Sequence, residues 1–417
     1  MLFGKECRKI FHSLTYIIYC IIVILMLTTQ YFSDCAEKEY RPVRGEYDYG
    51  ETIIEDHDLV MSNATDDLTT EFLSNRYVCY PFGFYKAVQL NDKKKAKIEK
   101  YIFEITGLDS DGIAEKKNNS MLYNFTDGTH NYSEYEIDGM PISDTVTYER
   151  FKEIMSDIDD ILGGGSDYAV DSLVFRFSRV PMTYEQAIEE YDEMMENDRI
   201  SGAYARLFSD YAGFVLAIIP VFVAAALSAA DRRHRTSELI YSRKTSSICI
   251  IFTRFAALVT TMFIPVLICM TAAFLQILSL YGTKDMDMTT MFTLPSFWLI
   301  PNIMTVSAVG MFVTELFSGG TAILVQFVWW FMSMMTAGAA GLIGRIEKFT
   351  FVCRHNSLYY RNEFIGNWDN FVFNRIFYIA VSLTAVVLTV FVYEFKRGGS
   401  FNGIRLFGKD SIFRHKA

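Results

Sequence analysis

Apolar residues along this chain fall into six blocks. They are Leu14–Phe32, Tyr211–Ala230, Ile248–Leu278, Phe292–Leu316, Thr321–Ile343 and Ile376–Tyr393, separated by polar stretches of very different length. The second block, YAGFVLAIIPVFVAAALSAA, has twenty residues and no charge. About 20 apolar residues suffice to cross a hydrocarbon core roughly 30 Å thick. Its nine Phe, Val, Leu and Ile residues sum to about −3 to −5 kcal/mol on the insertion scale, so it should insert. The same reasoning makes each block a membrane span. The predicted fold is an α-helical polytopic membrane protein of six transmembrane helices, with an α+β extracytoplasmic domain between helices one and two.

A cleaved signal peptide is the rival reading of the first block. Its apolar run exceeds the roughly 7–15 residues of a signal core, so it is taken as an uncleaved span following Lys5, Arg8 and Lys9. Residues 1–32 then comprise a cytoplasmic N-terminus and the first span, and residues 33–206 form the outer domain. Residues 33–75 are acidic and poor in apolar pattern, which predicts loose order. Phe84–Leu90 reads as a strand. Asn91 or Asp92 caps a helix through Thr106, with Ile98, Tyr101, Ile102 and Ile105 on one face. Met121–Phe125 and Tyr132–Ile137 read as a hairpin through Asp127-Gly128. Thr145 or Thr147 opens a second helix that Gly163 stops, and Thr183–Gln186 has capping-box spacing ahead of a third.

Residues 207–394 hold the remaining five spans. Ser318-Gly319-Gly320 is a tight inner turn. Residues 345–374 are semi-polar and aromatic, which suits a re-entrant or interfacial segment on the outer side. Residues 395–417 form a basic cytoplasmic tail.

Charge sharpens this topology. Residues 33–206 carry 37 of the 49 acids and 18 of the 39 bases, a net of −19 in a chain whose total is −10; the remainder is basic, at +9. An acidic block outside and basic flanks inside follow the positive-inside rule, with both termini in the cytoplasm. The mean hydropathy of +0.16 agrees with membrane residence.

Catalytic signatures are missing. The sequence has no GxxxxGK[ST], HExxH or GxSxG, and its six histidines lack metal spacing. Seven cysteines without a CxxC pair read as free or buried thiols. Gly163–Gly165 and the paired acids read as a turn and a solvated face. Within the blocks only Arg254 and Glu315 carry charge, and both lie near block ends, where anchoring accounts for them. That scarcity argues against a proton- or sodium-driven transporter.

One loop stands out. Asp231–Ser247, DRRHRTSELIYSRKTSS, joins the second and third blocks. Thr236 is placed to cap a short helix with Glu238 in its first turn, where the dipole favours an acid. Leu239, Ile240 and Tyr241 give that helix an apolar contact surface.

With these residues in view, the chain resembles the ABC type-2 exporter permeases, in a Gram-positive-like branch. Asp231, Arg232, Thr236, Glu238, Leu239, Ile240, Ser242 and Arg254 fall into the places of that family's coupling region. Arg235 stands for the usual Gly and Lys244 for the usual Pro, departures at the start and end of the coupling helix. Gly202–Tyr211 and Asn374–Gly399 are also similar to this branch. The resemblance implies a permease subunit that moves a hydrophobic or amphipathic substrate such as a lipid, peptide antibiotic or drug. It further implies a coupling site at Asp231, Arg232, Arg235, Thr236, Glu238, Leu239, Ser242 and Arg254. A cytoplasmic ABC ATPase would bind the ATP, this chain holding no cofactor, and a second permease subunit would complete the pathway within membrane lipid. No nucleic-acid partner is expected. The alternative is a membrane-anchored receptor or sensor whose acidic outer domain binds a ligand.

Overall fold

The computed structural model describes residues 2–46, 48–81, 85–117, 140–233, 240–242, 244–283, 286–339 and 346–398. Cα positions divide the chain into two units, one built from residues 1–42, 188–337 and 342–417, the other centred on 43–187.

The first unit begins with α1 (Leu2–Phe11) and α2 (Leu14–Thr29), the latter continued by a turn at Tyr31–Asp34. Ser13 separates them, accepting a hydrogen bond from the Tyr16 amide as the N-cap of α2 and donating to the Ile10 carbonyl.

In the second unit, α3 (His57–Ser74) is capped by Asp56, whose carboxylate accepts from the amides of Asp58 and Leu59. It buries Val60, Ala64, Leu68 and Phe72, so this part of residues 33–75 is an ordered core helix rather than the loose segment expected. The stripe repeats strictly every four residues, and the Ser, Thr and Asp between its members dilute the apolar signal.

Among the described residues, three long helices contribute to the core of this unit. α4 (Asp92–Thr106) starts at Asn91, which accepts from the Lys94 amide, and ends at Gly107 with φ +72°. α5 (Tyr148–Leu162) starts at Thr147 and ends at Gly163 with φ +108°, the left-handed cap that glycine takes without strain. Ile98, Ile102, Phe151, Ile154 and Ile158 pack with the buried face of α3.

Among the described residues this unit also holds two small antiparallel sheets. Strand β1 (Glu51–Ile53) pairs with Arg179–Pro181, and β2 (Tyr77–Cys79) pairs with β3 (Lys86–Val88), inside the predicted Phe84–Leu90 strand. The predicted hairpin at 121–137 lies outside the described residues. Helix α6 (Tyr184–Asp192) opens on a reciprocal capping box: the Thr183 amide donates to Gln186 Oε1 at 2.9 Å, and the Gln186 amide to Thr183 Oγ1 at 3.2 Å.

Apolar helices make up most of the rest of the first unit. The second predicted span proves to be two helices, α7 (Ser201–Leu216) and α8 (Pro220–Arg233), bent by 41°. Helix α7 begins before the predicted Tyr211, and the break falls where Pro220 has no amide to return to the preceding turn. The third and fourth blocks become α9 (Ser247–Tyr281) and α10 (Thr290–Leu316), followed by α11 (Gly319–Ala339), α12 (Arg361–Gly366) and α13 (Trp368–Arg397). At 35 residues, α9 is about 52 Å long and overreaches a hydrocarbon core of about 30 Å.

Pro265 inside α9 leaves the Thr261 carbonyl without its helical donor. Tyr16 of α2 supplies the missing donor to the Thr261 carbonyl at 2.9 Å, and Tyr19 adds a bond to the neighbouring Met262 carbonyl at 2.6 Å. Small residues bring α8 and α10 together: a Cβ on Gly310 would stand 3.1 Å from the Ala224 Cβ and 3.2 Å from Val221.

Among the described residues, four helices are long and apolar enough to cross a membrane, Leu14–Asp34, Ser247–Tyr281, Thr290–Leu316 and Trp368–Arg397, or five if the bent α7–α8 pair is one span. Gly319–Met335 in α11 is a shorter apolar stretch.

Candidate functional site

Two polar clusters interrupt the apolar unit. The first surrounds the connection from α8 to α9. Asp231 and Arg232 occupy the last turn of α8, and Arg254 lies two turns into α9. Arg254 is 3% exposed; it donates to the Asp231 carboxylate and stands 3.8 Å from Glu6 of α1. Lys9, half exposed, meets Glu6 at 2.8 Å, so each of these two carboxylates has a cation beside it. Arg254 was expected to anchor a span end at the membrane surface. Instead it is an enclosed partner joining three helices.

Neighbouring contacts fasten the other helix ends to the same place. Arg232 donates to the Thr314 carbonyl at the close of α10. Lys396 of α13 donates to the Glu315 carbonyl and sits 3.0 Å from the Glu315 carboxylate, so Glu315 too is a buried ion-pair member rather than a surface anchor. Cations at the carbonyl end of α10 suit its dipole. Arg397 donates to the carbonyls of Tyr241 at 3.0 Å and Thr245 at 2.9 Å, and the Ser247 hydroxyl donates to Glu394.

Of the predicted site residues, Asp231, Arg232 and Arg254 therefore come together. Ser242 is exposed in the turn after Tyr241. Arg235, Thr236, Glu238 and Leu239 lie outside the described residues.

The second cluster went unread in the sequence. It pins the loop 346–360 to α7, α10 and α13. Asp210 is fully buried and accepts from Arg354 Nε at 2.8 Å and from the His355 amide at 2.8 Å. Arg206, one turn earlier on α7, pairs with Asp198 at 2.6 Å, donates to the Leu358 carbonyl at 3.0 Å and lies over the Phe364 ring. Arg361 also reaches Asp198, at 3.3 Å.

Arg375 of α13 donates to the Trp298 carbonyl at 2.9 Å, to Asn302 Oδ1 at 2.8 Å and to Cys353 Sγ at 3.0 Å. Burial pushes Asp198 upward, with Arg206 opposing. Burial, aided by Arg206, pulls His355 down to about 3. His355 is therefore neutral near pH 7, and its Nε2 carries the proton, because the Tyr359 carbonyl 3.0 Å away can only accept.

These residues escaped notice because Asp210 and Arg375 each stand one position before a predicted span. The available signal was Arg206 and Asp210 at helical spacing in an otherwise apolar stretch. Among the described residues no group of three His, Cys, Asp or Glu side chains could hold a metal ion. All seven cysteines are free thiols. Both clusters are fastenings between helices, and their chemistry is mechanical: each fixes where one helix end sits relative to the next.

Helical architecture with several membrane-length apolar helices fits a multi-pass membrane protein. In comparison with known proteins, the chain matches no family model, no curated protein and no solved structure.

Proposed function

We propose that the chain is the permease subunit of an ATP-driven exporter of the ABC type-2 kind. In this reading it has six spans, both termini in the cytoplasm and residues 33–206 outside. The observation that carries it is the Arg254–Asp231 pair, which ties the end of α8 directly to the start of α9 across the connection that the resemblance makes the coupling segment. A load applied to Thr236–Ser242 from the cytosol would reach both helices at once. Through Arg232 and Lys396 it would also reach α10 and α13. A separate ABC ATPase binds and hydrolyses ATP, and a second permease subunit completes the pathway for a hydrophobic or amphipathic substrate.

The lack of a phosphate-binding loop in the sequence supports an external energy source. The test replaces residues 235–242 by Gly-Ser repeats, or reverses Glu238→Lys, and follows co-purification of a nucleotide-binding protein together with ATP-dependent efflux from cells. Both should fall sharply while the protein still reaches the membrane. Retention of both refutes the assignment; ligand binding by residues 33–206 without any ATPase partner would favour the receptor reading instead.

A further inference from the structure

Helix α1 carries three stripes. Glu6 and Ile10, four apart, are buried on the protein side, with Glu6 facing Arg254 of α9. Phe3 and Phe11 occupy the next stripe and are 43% and 41% exposed. Lys5, Arg8, Lys9 and His12, spaced as one helical face, are all exposed on the third. An aromatic stripe open to the surroundings costs free energy in water, and it adjoins a basic one. That order, protein then apolar then cationic, is the pattern of a helix lying in a membrane interface.

The apolar stripe does not end with α1. Leu14, Ile17, Ile18 and Ile21 continue it along the exposed side of α2, a helix of membrane-spanning length. We propose that the exposed face of α1 is a docking surface for anionic phospholipid headgroups, with Phe3 and Phe11 seated among the upper acyl chains and Lys5 and Arg8 meeting the phosphates. Lys9 divides its charge between that surface and Glu6, 2.8 Å away. The inference needs α2 to lie in a bilayer and does not need the transport role.

Two features make the charge productive. Each Lys or Arg near an anionic surface contributes about a fivefold preference, by the rule of roughly 1 kcal/mol per cation. Glu6 also links α1 to the buried Arg254, so a lipid-held α1 is fixed against the start of α9.

The test uses the full-length protein in detergent, with lipid binding counted by native mass spectrometry during titration with phosphatidylglycerol or phosphatidylcholine. The wild type should prefer phosphatidylglycerol. The double variant K5Q/R8Q should lose that preference by about fivefold for each charge removed. The charge-conserving K5R/R8K should keep it, and K93Q/K97Q, two lysines of α4 in the other unit, should leave it unchanged. A wild type without preference, K5Q/R8Q with wild-type preference, or K5R/R8K with the loss of K5Q/R8Q would each overturn the proposal. An equal loss in K93Q/K97Q would do so as well.

Discussion

Replacing Arg254 by Met tests the fastening between α8 and α9. The side chain is 4% exposed and lies between Asp231, 17% exposed, and Glu6, 4% exposed. Met keeps much of the apolar stem and removes the charge. Asp231 then loses the guanidinium, while Glu6 keeps Lys9 at 2.8 Å. Removing one member of a buried ion pair costs about 3–5 kcal/mol, because the remaining charge is stranded. The solvent reaching Asp231 lowers the figure toward about 3 kcal/mol. R254M/D231L removes both members of this pair together, and Glu6 retains Lys9 at 2.8 Å. The double variant should therefore recover about 1–3 kcal/mol relative to the summed single effects. Unfolding in mixed detergent micelles, followed by circular dichroism across the four proteins of the cycle, reads these values. Strict additivity, or an R254M loss below about 0.5 kcal/mol, would refute the claim that this pair bears load.

Other consequences are accessible to the same measurement. Tyr16→Phe strands the Thr261 carbonyl, which Pro265 leaves without a helical donor, and should cost about 1–3 kcal/mol, whereas Ile17→Val on the exposed side of α2 should cost under about 0.5. Lys396→Met leaves Glu315 enclosed without its cation and should cost about 3–5 kcal/mol, with K396M/E315L recovering part of it. Gly165→Ala should destabilise the 43–187 unit by about 1–3 kcal/mol, because Gly165 has φ +74° and an added Cβ would meet the Tyr80 carbonyl oxygen at 2.8 Å. His355 makes stability fall with acid. Its folded value, about 3, lies below the ordinary 6.5, so the unfolded chain takes up the proton first. The contribution is whole above pH 6.5 and declines by up to about 1.4 kcal/mol per pH unit toward pH 3. Stability of His355→Asn should fall less steeply between pH 7 and 5; an equal slope would contradict the burial of a neutral ring.

Hydropathy and caps carried much of this fold openly. Asn91, Thr147, Gly163 and the Thr183–Gln186 box stand at the helix ends where local hydrogen bonding requires them, since a cap is decided within four residues. The starts of α9 and α10 lie within a few residues of the apolar blocks for a similar reason: the blocks are long and uninterrupted. Helix α3 stayed hidden because its buried face includes Thr65 and Thr69 beside Val60, Ala64, Leu68 and Phe72, which lowers the apolar average over any window. The early start of α7 stayed hidden because Arg206 and Asp210 look like the polar boundary of a span. They are enclosed only through the loop 346–360, about 150 residues away in sequence, and no local pattern reports a partner at that distance. Arg375 was lost in the same way. At the α8–α9 connection, the family resemblance singled out Asp231, Arg232 and Arg254, yet the roles of Glu6, Glu315 and Lys396 depended on helices meeting in space.

The central claim is that the connection after α8 faces the cytosol and is gripped by a separate ATPase. A photoreactive phenylalanine analogue placed at position 236 in the full chain, illuminated in native membranes, tests it most directly. A covalent adduct with a nucleotide-binding protein, lost when the connection is replaced by Gly-Ser repeats, is the expected result. Adducts formed only with an extracellular reagent, or a purified chain that hydrolyses ATP unaided, would contradict it.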